Sequence, residues 1–178
     1  RGRPFQAHEA CDDEADDDRP GGDAMKLSIV TPSFNARRYL PRAAESILSQ
    51  SGDFELEWIV VDGGSTDATL DVIRGISDPR LSWTSEPDRG QSDAINKGLR
   101  QATGDVVAWL NADDVYVPGA LSEVARAFAS KPDAKWLVGR YEVIDENDQP
   151  IAQESQEPDA EHRGDHHVVS IKQIRVIQ

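Results

Sequence analysis

Between Lys26 and Phe128 a short apolar, β-branched run followed by a helix-period segment recurs four times. Residues 27–31 lead into Leu40, Ala43, Ala44, Ile47 and Leu48, and residues 56–61 into Leu70, Ile73 and Ile76. Residues 81–84 lead into Ile95, Gly98, Leu99 and Ala102, and residues 106–110 into Leu121, Val124, Ala125 and Phe128. Apolar residues three and four apart specify the inward face of a helix, whereas continuous apolar runs bounded by turn residues specify buried strands. Such alternation over short connections admits few architectures. It predicts an α/β fold, with a mostly parallel, Rossmann-like sheet, right-handed crossovers and helices on both faces.

Punctuation sharpens the boundaries. Ser51-Gly52-Asp53 closes the first helix, Ser65 or Thr66 is placed to cap the second, and Asp78-Pro79 breaks it. Gly104 is placed as a carboxyl-terminal cap of the third helix, and Pro118 as a first-turn residue of the fourth. After Lys131 the pattern thins to two short strand signals, 136–139 and 141–144, and a weak alternation over 168–177.

The strand ends carry more chemistry than the strands. The apolar run 106–110, expected to be buried, stops at Asn111-Ala112-Asp113-Asp114. A strand that ends in acids presents them at its carboxyl end, where open α/β sheets keep their ligand crevice. Two carboxylates beside an amide form a hard oxygen set suited to Mg²⁺ or Mn²⁺ carrying a phosphorylated substrate. Taken alone, the acids do no more than favour the positive end of the following helix. Three other polar loops, Thr31-Pro32-Ser33-Phe34-Asn35, Asp62-Gly63-Gly64-Ser65 and Asp88-Arg89-Gly90, also follow strands, so a parallel sheet brings all four to one edge.

Charge narrows the partners. The formal net charge is −14 and mean hydropathy −0.58, which argues against a nucleic-acid face and for a soluble chain. Three arginines against eight carboxylates place −5 of that charge in residues 1–24, expected to form a disordered acidic extension. The remaining −9 lies on the body, and a divalent cation is one means of bringing an anionic nucleotide to it. Cys11 is the sole cysteine, which excludes an intramolecular disulfide and makes a reducing cytoplasm the expectation. No signal peptide or membrane-length apolar run is found.

In order, spacing and context, Thr31-Pro32-Ser33-Phe34-Asn35, Val60-Val61-Asp62-Gly63-Gly64-Ser65-Thr66-Asp67, Asp88-Arg89-Gly90-Gln91-Ser92-Asp93-Ala94-Ile95-Asn96-Lys97-Gly98 and Leu110-Asn111-Ala112-Asp113-Asp114 resemble family 2 glycosyltransferases. The resemblance covers about residues 26–145. It implies a GT-A fold over residues 25–145 that binds a nucleotide-diphosphate sugar, most often a UDP-sugar, with residues 146–178 a truncated or divergent acceptor region. By likeness Thr31, Pro32, Ser33 and Asn35 line the nucleoside pocket, and Asp62, with Gly64 and Ser65, meets the base. Asp88, Arg89 and Gly90 border the ribose and diphosphate, with Asp93 and Asn96 on the following helix. Asp113 corresponds to the metal ligand and Asp114 to its support or alternative, while Asn111 stands where the family usually has the first acid of Asp-x-Asp. Residue by residue, Asp62 as a turn residue, Gly98 as a helix-packing residue and Arg89 as a solvated charge remain the alternatives.

The resemblance further implies Mn²⁺ or Mg²⁺ as cofactor, a glycan or lipid-linked acceptor, and inversion at the anomeric carbon after a base deprotonates the acceptor. It also implies a cytoplasmic location at the inner face of the membrane, with peripheral membrane association; separately, a sheet left open where the carboxyl half is absent would expose apolar surface and favour a homodimer. No base stands out: Glu154, Glu157, Asp159, Glu161 and Asp165 are available, and Asp165-His166-His167 reads as a solvated loop rather than a metal site. The alternative is a nucleotide-sugar-binding module without turnover. An NAD-dependent oxidoreductase shares the alternation but needs a Gly-x-Gly-x-x-Gly turn after the first strand, and residues 31–35 hold no glycine.

Overall fold

The structure is a computed structural model that describes residues 24–139 and 143–145, and the backbone of 168–169. Four parallel strands form the sheet: β1 (Met25–Ser33), β2 (Phe54–Asp62), β3 (Leu81–Ser85) and β4 (Val106–Trp109), in the order β3-β2-β1-β4. β1 and β2 pair along their full length, from Met25 opposite Phe54 to Ser33 opposite Asp62. Between and after the strands run α1 (Leu40–Leu48), α2 (Thr69–Gly75), α3 (Gln91–Leu99) and α4 (Ala120–Ser130). β5 (Val138–Gly139) pairs in parallel with β6 (Val168–Val169) in a separate ribbon. The α/β architecture is the expected one.

Alternation along the strands sorts the two faces. Leu27, Ile29, Trp58 and Val60 join Leu40, Ala44, Ile47, Ile73, Leu121 and Val124 in the main core under α1, α2 and α4. Ile59 and Val61 turn the other way and meet Ala94 of α3. Trp58 is fully buried, and its indole N–H donates to Thr31 Oγ1 at 2.9 Å, so the largest core side chain leaves no polar atom stranded. Gly98 lets α3 lie against β1, because a Cβ there would overlap Val30 Cγ1. Helix-to-sheet packing therefore accounts for this glycine.

Several local expectations need correction. α2 starts with Ala68 at its cap and no side-chain cap bond, so neither Ser65 nor Thr66 caps it. Asp67 takes that part, accepting from the Thr69 N–H at 2.9 Å and from the Thr69 hydroxyl. α3 ends at Leu99, well before Gly104. What Gly104 supplies is close approach, since a Cβ there would lie 2.6 Å from Ser28 Oγ and 2.7 Å from Lys26 O. Leu99, assigned to the inward face, is 41% exposed. α4 begins at Ala120 after Gly119, whose φ of 80° is left-handed, leaving Pro118 in the preceding turn.

The largest difference concerns β4. Like β3 at the other end, it is an edge strand among the described residues, so Val107 and Trp109, on the α3 side of the sheet, are 41% and 58% exposed rather than buried. Residues 1–23 and 146–167, with the candidate bases and Asp165-His166-His167, lie outside the described residues, as do 140–142 of the second expected strand. Among the described residues no helix is long and apolar enough to cross a membrane.

Candidate active site at the carboxyl edge of the sheet

Because all four strands are parallel, the loops after Ser33, Asp62, Ser85 and Trp109 emerge at one edge. β2 and β3 extend from β1 in one direction and β4 in the other, with α1 and α2 on one face and α3 on the opposite one. The switch in direction falls between β1 and β4, where a crevice opens in sheets of this kind. A surface hollow lined by Gln50, Gly52, Phe54 and Arg80 sits instead at the amino-terminal end of β2, away from these loops. The four polar loops meet at the opposite edge.

Asp62 ties the edge together. It is completely buried, and its Oδ2 accepts from the backbone N–H of Gly64 at 3.1 Å and of Ser65 at 2.9 Å, and from Ser85 Oγ at 2.7 Å. Its Oδ1 accepts from the Ser65 hydroxyl. A carboxylate so satisfied orders the β2 and β3 loops rather than facing outward. Gly64, at φ 83°, makes the turn that brings those N–H groups to it, and Asp88 Oδ2 would stand 2.6 Å from a Cβ on Gly63.

Asn35 does similar work between the first two loops. Its backbone N–H donates to Ser65 Oγ at 2.8 Å, and its Oδ1 accepts from the N–H of Thr66 at 2.9 Å and of Asp67 at 3.3 Å. Its φ of 50° is a left-handed conformation that asparagine tolerates. Thr31 and Pro32 are buried, and Ser33 is 3% exposed with a hydroxyl that has no hydrogen-bond partner among the described residues. Phe34, between them and Asn35, is 63% exposed.

The third loop caps α3. The Gly90 N–H donates to Asp88 Oδ1 at 2.8 Å, and the Arg89 N–H to Asp93 Oδ2 at 3.2 Å. That N–H, together with the charge of Lys97, holds the Asp93 carboxyl below the usual carboxylate range. Lys97 in turn binds Glu86 at 2.8 Å, which raises its own pKa. The Arg89 side chain reaches Asp93 only at 3.5 Å and is 90% exposed, leaving its guanidinium at the surface. Asn96 is exposed on α3, in the turn after Asp93.

In the fourth loop the Asp114 N–H bonds to Asn111 O at 3.1 Å, closing a tight turn with Asp113 at its apex. Asp114 is 2% exposed and accepts from Asn111 Nδ2 at 2.8 Å, while Asn111 Oδ1 accepts from Gln91 Nε2 at 2.7 Å. Asp113 is half-buried and makes no hydrogen bond or ion pair among the described residues. The turn is held from below by α1. Ser46 Oγ accepts from the Tyr116 N–H at 3.1 Å, and Gln50 bonds Val117 O at 2.9 Å and the Leu121 N–H at 3.2 Å.

Residues 28–171 match the profile of Glycosyl transferase family 2. The chain belongs to that family. It is 37% identical over 134 residues to an uncharacterized glycosyltransferase of Nostoc sp., a match covering 74% of this chain and 41% of the relative. It is 42% identical over 120 residues to a PGL/p-HBAD biosynthesis glycosyltransferase of Mycobacterium bovis, covering 65% and 46% respectively. The chain thus spans less than half the length of these relatives. Among solved structures it resembles S. aureus TarS 1-349 in complex with UDP-GlcNAc, with TM-score 0.58, 26% identity and coverage of 72% of this chain and 37% of that one. The corresponding complex with UDP gives TM-score 0.56. The sheet and its flanking helices are those of a GT-A glycosyltransferase.

Proposed function

We propose that this chain provides the donor site of a glycosyltransferase that moves a sugar from a UDP-sugar to a glycan or lipid-linked acceptor, with inversion and with a divalent metal. The observation that carries this reading is the Asp113 carboxylate. Among the described residues it stands without a partner at the apex of a hydrogen-bonded turn, on the edge where the four loops meet. Mg²⁺ and Mn²⁺ commonly take only one or two protein carboxylates and complete their shell with water and phosphate. A single available Asp113, backed by the engaged Asn111 and Asp114, fits that habit. When bound there, the ion supplies charge neutralisation for the departing diphosphate.

The remaining roles follow from placement. The exposed Phe34 ring offers an apolar face to the base, and the unpartnered Ser33 hydroxyl a hydrogen bond beside it. Asp62 and Asn35 act by holding the β1, β2 and β3 loops in register. The Arg89 guanidinium is accessible to a phosphate. We place the acceptor site and the base in further polypeptide, consistent with the share of each relative that this chain spans, and the reaction at the cytoplasmic face of a membrane.

Calorimetric titration of UDP with and without Mn²⁺ tests the reading. Expected is binding that needs the metal and that Asp113→Ala weakens at least ~10-fold. Metal-independent binding, or equal affinity in the variant, would overturn Asp113 as the ligand, and GDP and dTDP titrations decide the base.

A further inference from the structure

We propose that Lys97 is a positioning residue of the donor site, which by holding Glu86 and Asp93 leaves the Arg89 guanidinium free to meet the diphosphate. This role rests on the donor-site reading above and explains a lysine in the last turn of α3.

The path from β3 into α3 is rich in acid, with Glu86 and Asp88 in the loop and Asp93 in the first turn of the helix. Two cations meet these acids, and they sit differently. Lys97, with a side chain 20% exposed, brings Nζ to 2.8 Å from Glu86 Oε1 and 3.7 Å from Asp93 Oδ2, and donates to Pro87 O at 3.4 Å. Arg89 is 90% exposed and approaches Asp93 at 3.5 Å. An acid and a lysine four residues apart support a helix by themselves, but the shortest contact of Lys97 leaves the helix for the loop. With two of its three N–H groups engaged by Glu86 and Pro87, the ammonium acts through the acids rather than on a ligand. The loop backbone has its own supports, since the Glu86 N–H bonds Asp62 O at 3.0 Å and the Gly90 N–H bonds Asp88 Oδ1 at 2.8 Å. Loss of the ammonium therefore changes charge more than shape. Glu86 and Asp93 would lose their inner cation, and Arg89, whose planar fork pairs readily with carboxylates, would fold back onto them. A guanidinium so engaged has fewer donors left for a phosphate.

The test is a double-mutant cycle read by UDP titration in Mn²⁺, on variants whose melting is checked first. Partly exposed ion pairs contribute little to stability, so Lys97→Met is expected to fold, with Lys97→Gln as a second charge-free variant. Lys97→Met should weaken binding severalfold. Arg89→Ala should do the same in the wild-type background but far less in Lys97→Met, where the guanidinium is already withdrawn. Asp93→Asn added to Lys97→Met removes the acid that draws Arg89 and should recover most of the affinity, a rescue that simple loss of packing would not give. Undiminished affinity in Lys97→Met, Arg89→Ala without effect in the wild type, or no recovery with Asp93→Asn would each overturn this role while leaving the donor site standing. Losses at the two positions that simply add would overturn it too, and would make Lys97 a direct contact of the ligand. Wild-type protein that binds no UDP would instead overturn the donor-site reading, and the role of Lys97 with it.

Discussion

Single side chains at the amino-terminal end of the sheet do a different job from those at the carboxyl edge. Glu57 accepts from Ser28 Oγ, from the Thr103 N–H at 2.9 Å and from the Thr103 hydroxyl at 2.8 Å, with Lys26 Nζ 3.3 Å away. Burial by itself would raise its pKa, but these donors together outweigh it and bring the carboxyl down to about 2 from the usual 4.5. A lowered folded-state pKa means stability that is complete above the unfolded value and is lost as pH falls toward the folded one. Unfolding measured between pH 5 and pH 2 should therefore show a loss of up to ~3 kcal/mol attributable to this residue, a limb that Glu57→Gln flattens. A wild-type curve no steeper than that of the variant would count against the network. The same residue scale explains why Asp62 was expected to meet a base. The motif does not reveal that Gly64, Ser65 and Ser85 donate to its carboxylate from two loops.

Among the elements, α3 depends most on one small residue. Its inward side is thin, with Ala94 and Gly98 buried and Leu99 and Arg100 turned to solvent. Gly98→Ala would gain ~1 kcal/mol in helix propensity but drive a methyl into Val30, where overpacking typically costs ~1–3 kcal/mol. Net destabilisation in urea is the expected outcome, and a more stable variant would show that α3 can slide away from β1. Since α3 begins at Gln91, directly after the Asp88–Gly90 loop, such sliding would also move that loop, so UDP affinity should fall with stability.

For the whole molecule the exposed β4 edge matters most. Val107 and Trp109 stand beside an unpaired strand edge among the described residues, a surface that invites association. Sedimentation of the isolated chain should show concentration-dependent self-association that Trp109→Ser reduces. A monomer unaffected by the substitution would mean that this face is covered. The same edge lies along the strand that ends in the acid turn, so association there and donor binding are expected to influence each other.

The strand–helix periods alone determined the parallel α/β sheet, and the four polar strand-end loops determined which edge would hold the site, because parallel strands leave no other place for those loops. Local sequence also carried the family. Tertiary structure decided the rest. Whether β4 is buried depends on which strand lies beside it, which periodicity cannot express. Gly104 looks like a helix cap in one dimension but is required by the approach of Ser28 across the sheet. Phe34 looks like a packing residue until its loop turns it outward. The partners of Asp62, Asn35 and Asp114 lie on other loops or are set by turn geometry. A carboxylate's role follows from which donors reach it, and that is settled only when the chain has folded.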